Sequence, residues 1–446
     1  MERRNFINIT ALASLGTITG NIVYSRNKTH FMPETMNDTA NTGNWFSESR
    51  FGMFVHWGIY AIPAVHEQYQ QRYGIPRKQY EQYAKQWDPV NFDPEKWLDL
   101  MQEAGMKYLT FTTKHHDGFC MWDTKQTSFN VMNTPYRKDI LRMLTDACHK
   151  RNIPISLYYS VVDWHHPNYP NQGRHHELPA PEHGDAPKWE KYMEFLKAQV
   201  KELCTNYGKI SGFWWDMNVP EYKDPSINAL IRKLQPGIMI NNRGFDEGDF
   251  GTPERDYKNE LSEVHVFSKP TEACQSVGMQ SWGYRKEEDY YSDRYLERSI
   301  DSYLSRGANY LLNVGPDEKG TIPKESKNIL IRTGKWYHSV EEAYKEVRLL
   351  NNIGNEDILV TGRANILYIH LNRLPKGNAI GLYPLKVIPE KVILLNSSQL
   401  LNCVMEKKPY EKEAFLWIQN IPVNEYAGEI MVIKLEFSKP VKQLIQ

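Results

Sequence analysis

From residue 51 to about residue 340, short apolar runs alternate with amphipathic helical patterns, and no other feature limits the fold so strongly. Phe51–Gly58 starts the series as a strand. Asp93-Pro94 opens a helix as cap and first-turn proline, with Trp97, Met101 and Ala104 on one face. A strand over Met106–Thr113 follows, then a helix carrying Ile140, Leu141, Leu144 and Cys148, then a strand over Ile153–Ser160. Trp189, Met193, Leu196, Val200 and Leu203 mark a longer helix that Gly208 stops. The run ending at Asp216, a helix capped by Asp224-Pro225, and the strand Ile238–Asn241 continue the pattern. A helix through Leu296, Ile300 and Tyr303 leads into Tyr310–Val314. Such alternation implies parallel βαβ units, because parallel neighbours need a crossover. Seven strands are discernible, and the length suits a (β/α)8-like (TIM-type) barrel over residues 40–343 better than an open sheet. Residues 245–285 carry no assignable pattern. Beyond about residue 345 the helical period gives way to alternating runs such as Asn365–His370, Lys391–Leu395 and Glu429–Phe437. They predict a small C-terminal antiparallel β-sandwich over residues 350–446, with structural support as its default role.

Fifty-four basic residues balance 54 acidic ones without a long basic run, which disfavours nucleic acid as a partner. Five scattered cysteines form no CxxC pair and no disulfide framework. Residues 1–28 read as an export leader: Arg3-Arg4-Asn5-Phe6-Ile7 resembles a twin-arginine start, and a mildly apolar run, Ile9–Ile22, follows. That run is too short and interrupted to span a membrane, and nothing later does. The expected location is the bacterial periplasm or the exterior; the alternative is a frayed cytoplasmic N-terminus.

Asp216 ends the aromatic run Phe213-Trp214-Trp215 just as it leaves for a loop. A carboxylate beside three aromatics is costly to desolvate without a partner. At the C-terminal end of a barrel strand it reads as catalytic, and indole faces suit the C–H surfaces of a pyranose. The alternative is an Asp that caps the following turn. Polar groups recur at the other strand ends: His56 and Trp57; His115, His116 and Asp117; Tyr159; and Asn242 with Arg243. Glycosidic cleavage needs a second carboxylate, and Glu254 and Glu272 lie downstream. Asp216 would attack the anomeric carbon while Glu254 protonates the departing oxygen. The paired histidines invite a zinc reading. Adjacent histidines on a strand point to opposite faces, so only one of His115 and His116 is expected in a shared site. No HExxH spacing occurs, and no metal is expected.

Several motifs together resemble the α-L-fucosidases of glycoside hydrolase family 29: Arg50–Tyr60, Lys114–Phe119, Leu157–Ser160 with Asp163-Trp164, and Phe213–Asp216. Ile240–Arg243, Gly248–Glu254, Ser281–Tyr284 and Asn309–Pro316 carry the likeness further, in order, through about residues 45–340. The resemblance implies a (β/α)8-like catalytic barrel, a C-terminal β-sandwich, a retaining mechanism and no metal or other cofactor. It implies Asp216 as nucleophile and Glu254 as acid/base, with Glu272 second and Glu67 third. His56, Glu67, His115, His116 and Tyr159 would bind fucose hydroxyls; Trp214 and Arg243 would complete the pocket. Two departures stand out. Gln68 and Thr271 occupy positions where the family often has Trp.

The expected activity is exo-acting, retaining hydrolysis of terminal α-L-fucosyl residues on oligosaccharides or glycoconjugates. The alternatives are a fucose-binding or catalytically degenerate barrel, a galactoside-type glycosidase, and a metal-dependent hydrolase.

Overall fold

The computed structural model describes residues 44–441 apart from 220, 256–266, 268, 351, 352, 354–356, 384, 386, 408 and 410–413. The leader expected over residues 1–28 lies outside the described residues.

The helix caps fall where the sequence places them. Asp93 accepts the backbone N–H groups of Glu95 and Lys96 at the start of Pro94–Glu103, and Asp224 accepts that of Ser226 at the start of Pro225–Leu234. These and the helices Ile140–Lys150, Trp189–Asn206, Asp293–Ser305 and Lys324–Val340 alternate with parallel strands. The strands are β1 (Phe51–Val55), β2 (Tyr108–Lys114), β3 (Ile155–Ser160), β4 (Gly212–Asp216), β5 (Met239–Ile240), β6 (Glu272–Ser276) and β7 (Asn309–Val314). They form one sheet in the order β5-β4-β3-β2-β1-β7-β6. The fold is (β/α)8-like, with seven regular strands among the described residues.

An extended segment, Phe250–Glu254, bridges the sheet's two edges. Its Phe250 pairs with Asn241 beyond β5, while Gly251 and Glu254 pair with Thr271 and Cys274 at β6. Asn242 N–H donates to Phe250 O (2.9 Å), and Glu272 N–H donates to Gly251 O (2.8 Å). Pro253 has no N–H to give a ladder, so the segment makes bridges instead of a regular strand. That is why residues 245–285 show no pattern in the sequence, although β6 lies among them.

Side-chain parity divides the core. Phe213 and Trp215 of β4, with Leu157 and Tyr159 of β3, pack against the outer helices. Phe54, Tyr108, Tyr158, Trp214 and Cys274 point inward and form a separate aromatic cluster with Phe46 and Phe250. Successive side chains alternate across a strand, so the residues two before Asp216 in the β3–β4 register share its inner face.

Among the described residues the C-terminal part forms two antiparallel sheets, of six and three strands. Leu367, Ile369 and Ile433 of the larger meet Leu382, Leu416 and Ile418 of the smaller in a second core. The larger sheet's other face meets the barrel helices. There buried Asp301 accepts from His370 Nδ1 (2.6 Å), Tyr344 Oη (2.8 Å) and Asn372 Nδ2 (3.0 Å). Trp336 Nε1 donates to Ile430 O (2.8 Å) across the same seam.

Candidate active site

Asp216 closes β4 facing inward, and its carboxylate does not cap the next turn. Tyr158 Oη donates to Oδ2 (2.7 Å) and Arg243 Nη1 to Oδ1 (3.0 Å); His116 Nε2 stands 4.0 Å from Oδ2. Burial opposes the charge, but chiefly Arg243, with the Tyr158 hydroxyl, holds the pKa below the usual aspartate range. The side chain is therefore an ionised, anchored oxyanion in a mostly aromatic wall. Tyr158 stacks on Trp214 at 5.6 Å, and Arg243 lies over the same indole at 4.8 Å.

Glu254 ends the bridging segment. Its Oε2 receives the same Arg243 Nη1 at 3.1 Å. The two carboxylate oxygens thus lie within 6.1 Å of each other, the sum of the 3.0 and 3.1 Å contacts to that nitrogen. Thr252 fixes the guanidinium: its hydroxyl accepts from Nε (2.7 Å) and its carbonyl from Nη2 (2.8 Å). Burial raises the pKa of Glu254, Arg243 lowers it, and the charge of Asp216 raises it again, with a net upward shift. One carboxyl is pushed down and its neighbour up, which sorts a permanent anion from a proton donor.

A cavity of ≈300 Å³ opens on this pair, and histidines line it. Asn313 Nδ2 donates to Ser276 Oγ and Trp282 O, so its Oδ1 accepts from His56 Nδ1 (2.7 Å). Ser160 Oγ donates to Val162 O, so it accepts from His116 Nδ1 (2.7 Å). Burial lowers the pKa of His56 to about 4 and of His116 to about 3. Both rings are then neutral, with Nδ1 protonated and Nε2 an acceptor. Glu67 also lines the cavity; its Oε2 accepts from Ser281 Oγ (2.6 Å) and Trp282 N (2.9 Å). His66 Nδ1 lies 3.3 Å from that carboxylate. That nitrogen accepts the Gln68 N–H (2.9 Å), and burial lowers its pKa. Among the described residues no three His, Cys, Asp or Glu side chains group as metal ligands.

Residues 20–342 match the family model described as α-L-fucosidase. The chain belongs to that family. Its relatives are glycoside hydrolases. Tissue α-L-fucosidase of Mus musculus is 27% identical over 342 residues, 69% of this chain and 72% of that one. α-L-Fucosidase isoenzyme 1 of Paenibacillus thiaminolyticus superposes with a TM-score of 0.80 at 32% identity, covering 90% of this chain and 99% of its own. A Bacteroides thetaiotaomicron family 29 fucosidase, solved as a trapped covalent intermediate with 2-fluoro-fucosyl fluoride, gives 0.74 at 26% identity over 89% and 95%.

Within this fucosidase fold the cavity gathers His56, Glu67, His115, His116, Trp214, Asp216, Arg243 and Glu254 from the sequence-based expectation. Tyr159 is not among them. It has the parity of Leu157 and Trp215, faces the helices, and donates to Gln199 Oε1 (2.6 Å). Tyr158, one residue earlier, faces the cavity instead. Both histidines of the His115-His116 pair enter the site, contrary to strand alternation, because β2 ends at Lys114 and the pair lies in the turn beyond it. Gly118, at φ 77, lets Asp163 approach where any Cβ would collide with its carboxylate, and Asp163 in turn pairs with Lys114 (2.8 Å). Glu272 is the first residue of β6, at the end of the strand remote from the cavity. Its carboxyl accepts from Tyr108 Oη (2.6 Å) and Trp214 Nε1 (3.0 Å) beneath the indole. Thr271 lies beside it, away from the cavity, whereas Gln68 lines the cavity and accepts from Arg72 Nε (3.1 Å).

Among the lining residues that escaped the sequence reading are Tyr158, His66, His176, Arg255 and Trp282. His176 comes from the long loop between β3 and the helix Trp189–Asn206. Its ring stacks on His116 at 5.8 Å, held by the bond from Trp164 Nε1 to its carbonyl (2.8 Å). Trp282 packs 5.2 Å from His56, and Ser281-Trp282-Gly283 was a visible motif whose direction the sequence does not give.

Proposed function

We propose that the chain is an exo-acting, retaining α-L-fucosidase that removes terminal α-L-fucosyl residues from oligosaccharides or glycoconjugates. The observation that carries this reading is the single Arg243 nitrogen shared by Asp216 and Glu254, which keeps their oxygens within 6.1 Å. Retaining glycosidases hold their carboxyls about 5–5.5 Å apart, closer than the span that admits a water between sugar and base.

In the first step Asp216 bonds to C1 as the C1–O bond to the aglycone breaks, and Glu254 gives its proton to the departing oxygen. Esterification removes the charge of Asp216. Glu254 then loses the neighbour that raised its pKa while keeping Arg243, which lowers it, so its conjugate base is favoured for the second step. Glu254 takes a proton from water, the water oxygen bonds to C1, and Asp216 leaves as carboxylate. Two inversions retain the α configuration.

The Nε2 acceptors of His56 and His116 suit donated sugar hydroxyls, and Glu67 adds a charged acceptor. The ≈300 Å³ cavity fits one terminal sugar. The Bacteroides enzyme's trapped covalent intermediate supports the two-step path. Export follows from the Arg3-Arg4 leader pattern; among the described residues no helix is long and apolar enough to cross a membrane.

Proton NMR of 4-nitrophenyl α-L-fucoside hydrolysis, followed from the first turnovers, tests this. α-Fucose appears first if the reading holds. β-Fucose first would overturn retention, and no release would favour a fucose-binding barrel.

A further inference from the structure

We propose that His176 is a further sugar-binding residue of this site, whose imidazole hydrogen-bonds the terminal sugar from a loop outside the barrel strands; this rests on the fucosidase reading. The loop joins β3 to the helix Trp189–Asn206, and of its residues His176 alone lines the ≈300 Å³ cavity that fits one sugar. Its neighbour His175 lines a different cavity, in whose wall His176 takes no part. The ring of His176 is thus addressed to the space beside His116 and Asp216.

The backbone fixes that placement. Trp164 donates twice, its N–H to His116 O (2.8 Å) and its indole Nε1 to His176 O (2.8 Å), so one residue ties both histidines together. Their rings stack at 5.8 Å with 26° between the planes. On one side of the loop Asp163 Oδ1 accepts the N–H groups of His165 (3.0 Å) and His166 (2.8 Å). On the other, Glu177 accepts from Tyr169 Oη (2.9 Å), Gln172 N (2.9 Å) and Arg174 Nη2 (2.8 Å). His176 itself holds a left-handed φ of 59°, a conformation that costs energy in a non-glycine residue and clusters at ligand sites. Glycine adopts that φ without strain, so loop geometry alone gives no reason for an imidazole there.

The chemistry of the ring completes the set around it. Its nitrogens make no hydrogen bond among the described residues; the bond from Trp164 goes to the backbone carbonyl. Burial first, then His175, lowers its pKa, although Asp216 pulls the other way. The imidazole is therefore neutral at pH 7, with one N–H to give and one lone pair to receive. His56, His116 and Glu67 meet the sugar with acceptors. A hydroxyl that gives its proton to one of them still has an oxygen that accepts, and the His176 N–H is a donor for such an oxygen.

The test measures inhibition of the full-length enzyme by free L-fucose, which has no aglycone, beside kcat/KM on 4-nitrophenyl α-L-fucoside. His176→Gly removes the ring at a φ that suits glycine. His176→Phe keeps a ring against His116 and removes the nitrogens. In both variants Ki for L-fucose should rise about fivefold or more, the scale of one hydrogen bond, and kcat/KM should fall by at least as much. Both should unfold at the wild-type denaturant concentration. A wild-type Ki in His176→Phe would reduce the ring to packing and overturn the proposal. So would an unchanged Ki in both variants, or a drop in both unfolding midpoints that accompanies the loss of binding. A wild-type enzyme that neither cleaves the fucoside nor binds L-fucose would overturn the fucosidase reading itself, and the role of His176 with it.

Discussion

Asp216 and Glu254 are joined through one atom: Arg243 Nη1 lies 3.0 Å from Oδ1 of the first and 3.1 Å from Oε2 of the second. The arginine holds the two groups at glycosidase spacing and lowers both of their pKa values. The proposed mechanism needs Asp216 ionised and Glu254 protonated, so activity should be lost below the first pKa and above the second.

Arg243→Met removes a cation from both groups. The Asp216 pKa then rises, moving the acid limb of kcat/KM to higher pH, and the Glu254 pKa rises too, moving the alkaline limb the same way. A kcat/KM–pH profile checks this. A variant that is merely less active, with both limbs unmoved, would separate Arg243 from the titration of the pair.

Glu254→Ala should cost at least about 100-fold on natural fucosides, the usual contribution of general acid catalysis, and far less on substrates with good leaving groups. Azide should restore its turnover by attacking the intermediate. Glu272→Gln should do neither. Its amide oxygen can accept from Trp214 Nε1 while its NH2 donates to Tyr108 Oη, preserving the buried contacts. If Glu272→Gln instead shows the azide-rescued phenotype, the acid has been misplaced.

Tyr158→Phe and Tyr159→Phe differ by one position and should differ in kind. The first removes a hydrogen bond to the charged Asp216, worth about 1.5–3 kcal/mol, and should lower kcat roughly tenfold or more. The second leaves the buried Gln199 Oε1 without its donor and should cost about 1–3 kcal/mol of stability with kcat unchanged. Steady-state kinetics beside chemical denaturation distinguishes them.

Burial pushes the Glu272 pKa up to about 7. A carboxyl whose folded pKa is raised binds its proton more tightly than the unfolded chain does, so stability falls as pH rises from about 4.5 to 7. Glu272→Gln removes that loss. Its stability relative to wild type should increase by on the order of a few kcal/mol between pH 4.5 and 7.5. The difference between the two proteins is the useful quantity, because neutral buried His56 and His116 give the whole molecule an opposing trend below pH 6.5. A constant difference across this range would mean that Glu272 is ionised in the fold.

The helices and most barrel strands were legible because their caps and periods are local: Asp93-Pro94 and Asp224-Pro225 each fix a start by accepting nearby N–H groups. Asp216 was legible as a charge at the end of an aromatic run. The bridging segment at Glu254 was not, since two-edge pairing replaces strand periodicity there. Tyr159 was misplaced because neighbouring tyrosines differ only in parity. The clue was present: Ser156, Tyr158 and Ser160 form the polar set of β3, and polar parity faces the site. His176 and Trp282 reach the cavity from loops whose course depends on tertiary bonds such as Trp164 to His176.

The central claim is that Asp216 carries the glycosyl group. Incubation of the wild-type enzyme with 2-deoxy-2-fluoro-fucosyl fluoride, followed by proteolysis and mass spectrometry, tests it directly. The account predicts one fluorofucosyl adduct on the peptide containing Asp216. An adduct on Glu254, Glu67 or another residue, or turnover of 4-nitrophenyl α-L-fucoside by Asp216→Asn at the wild-type rate, would contradict it.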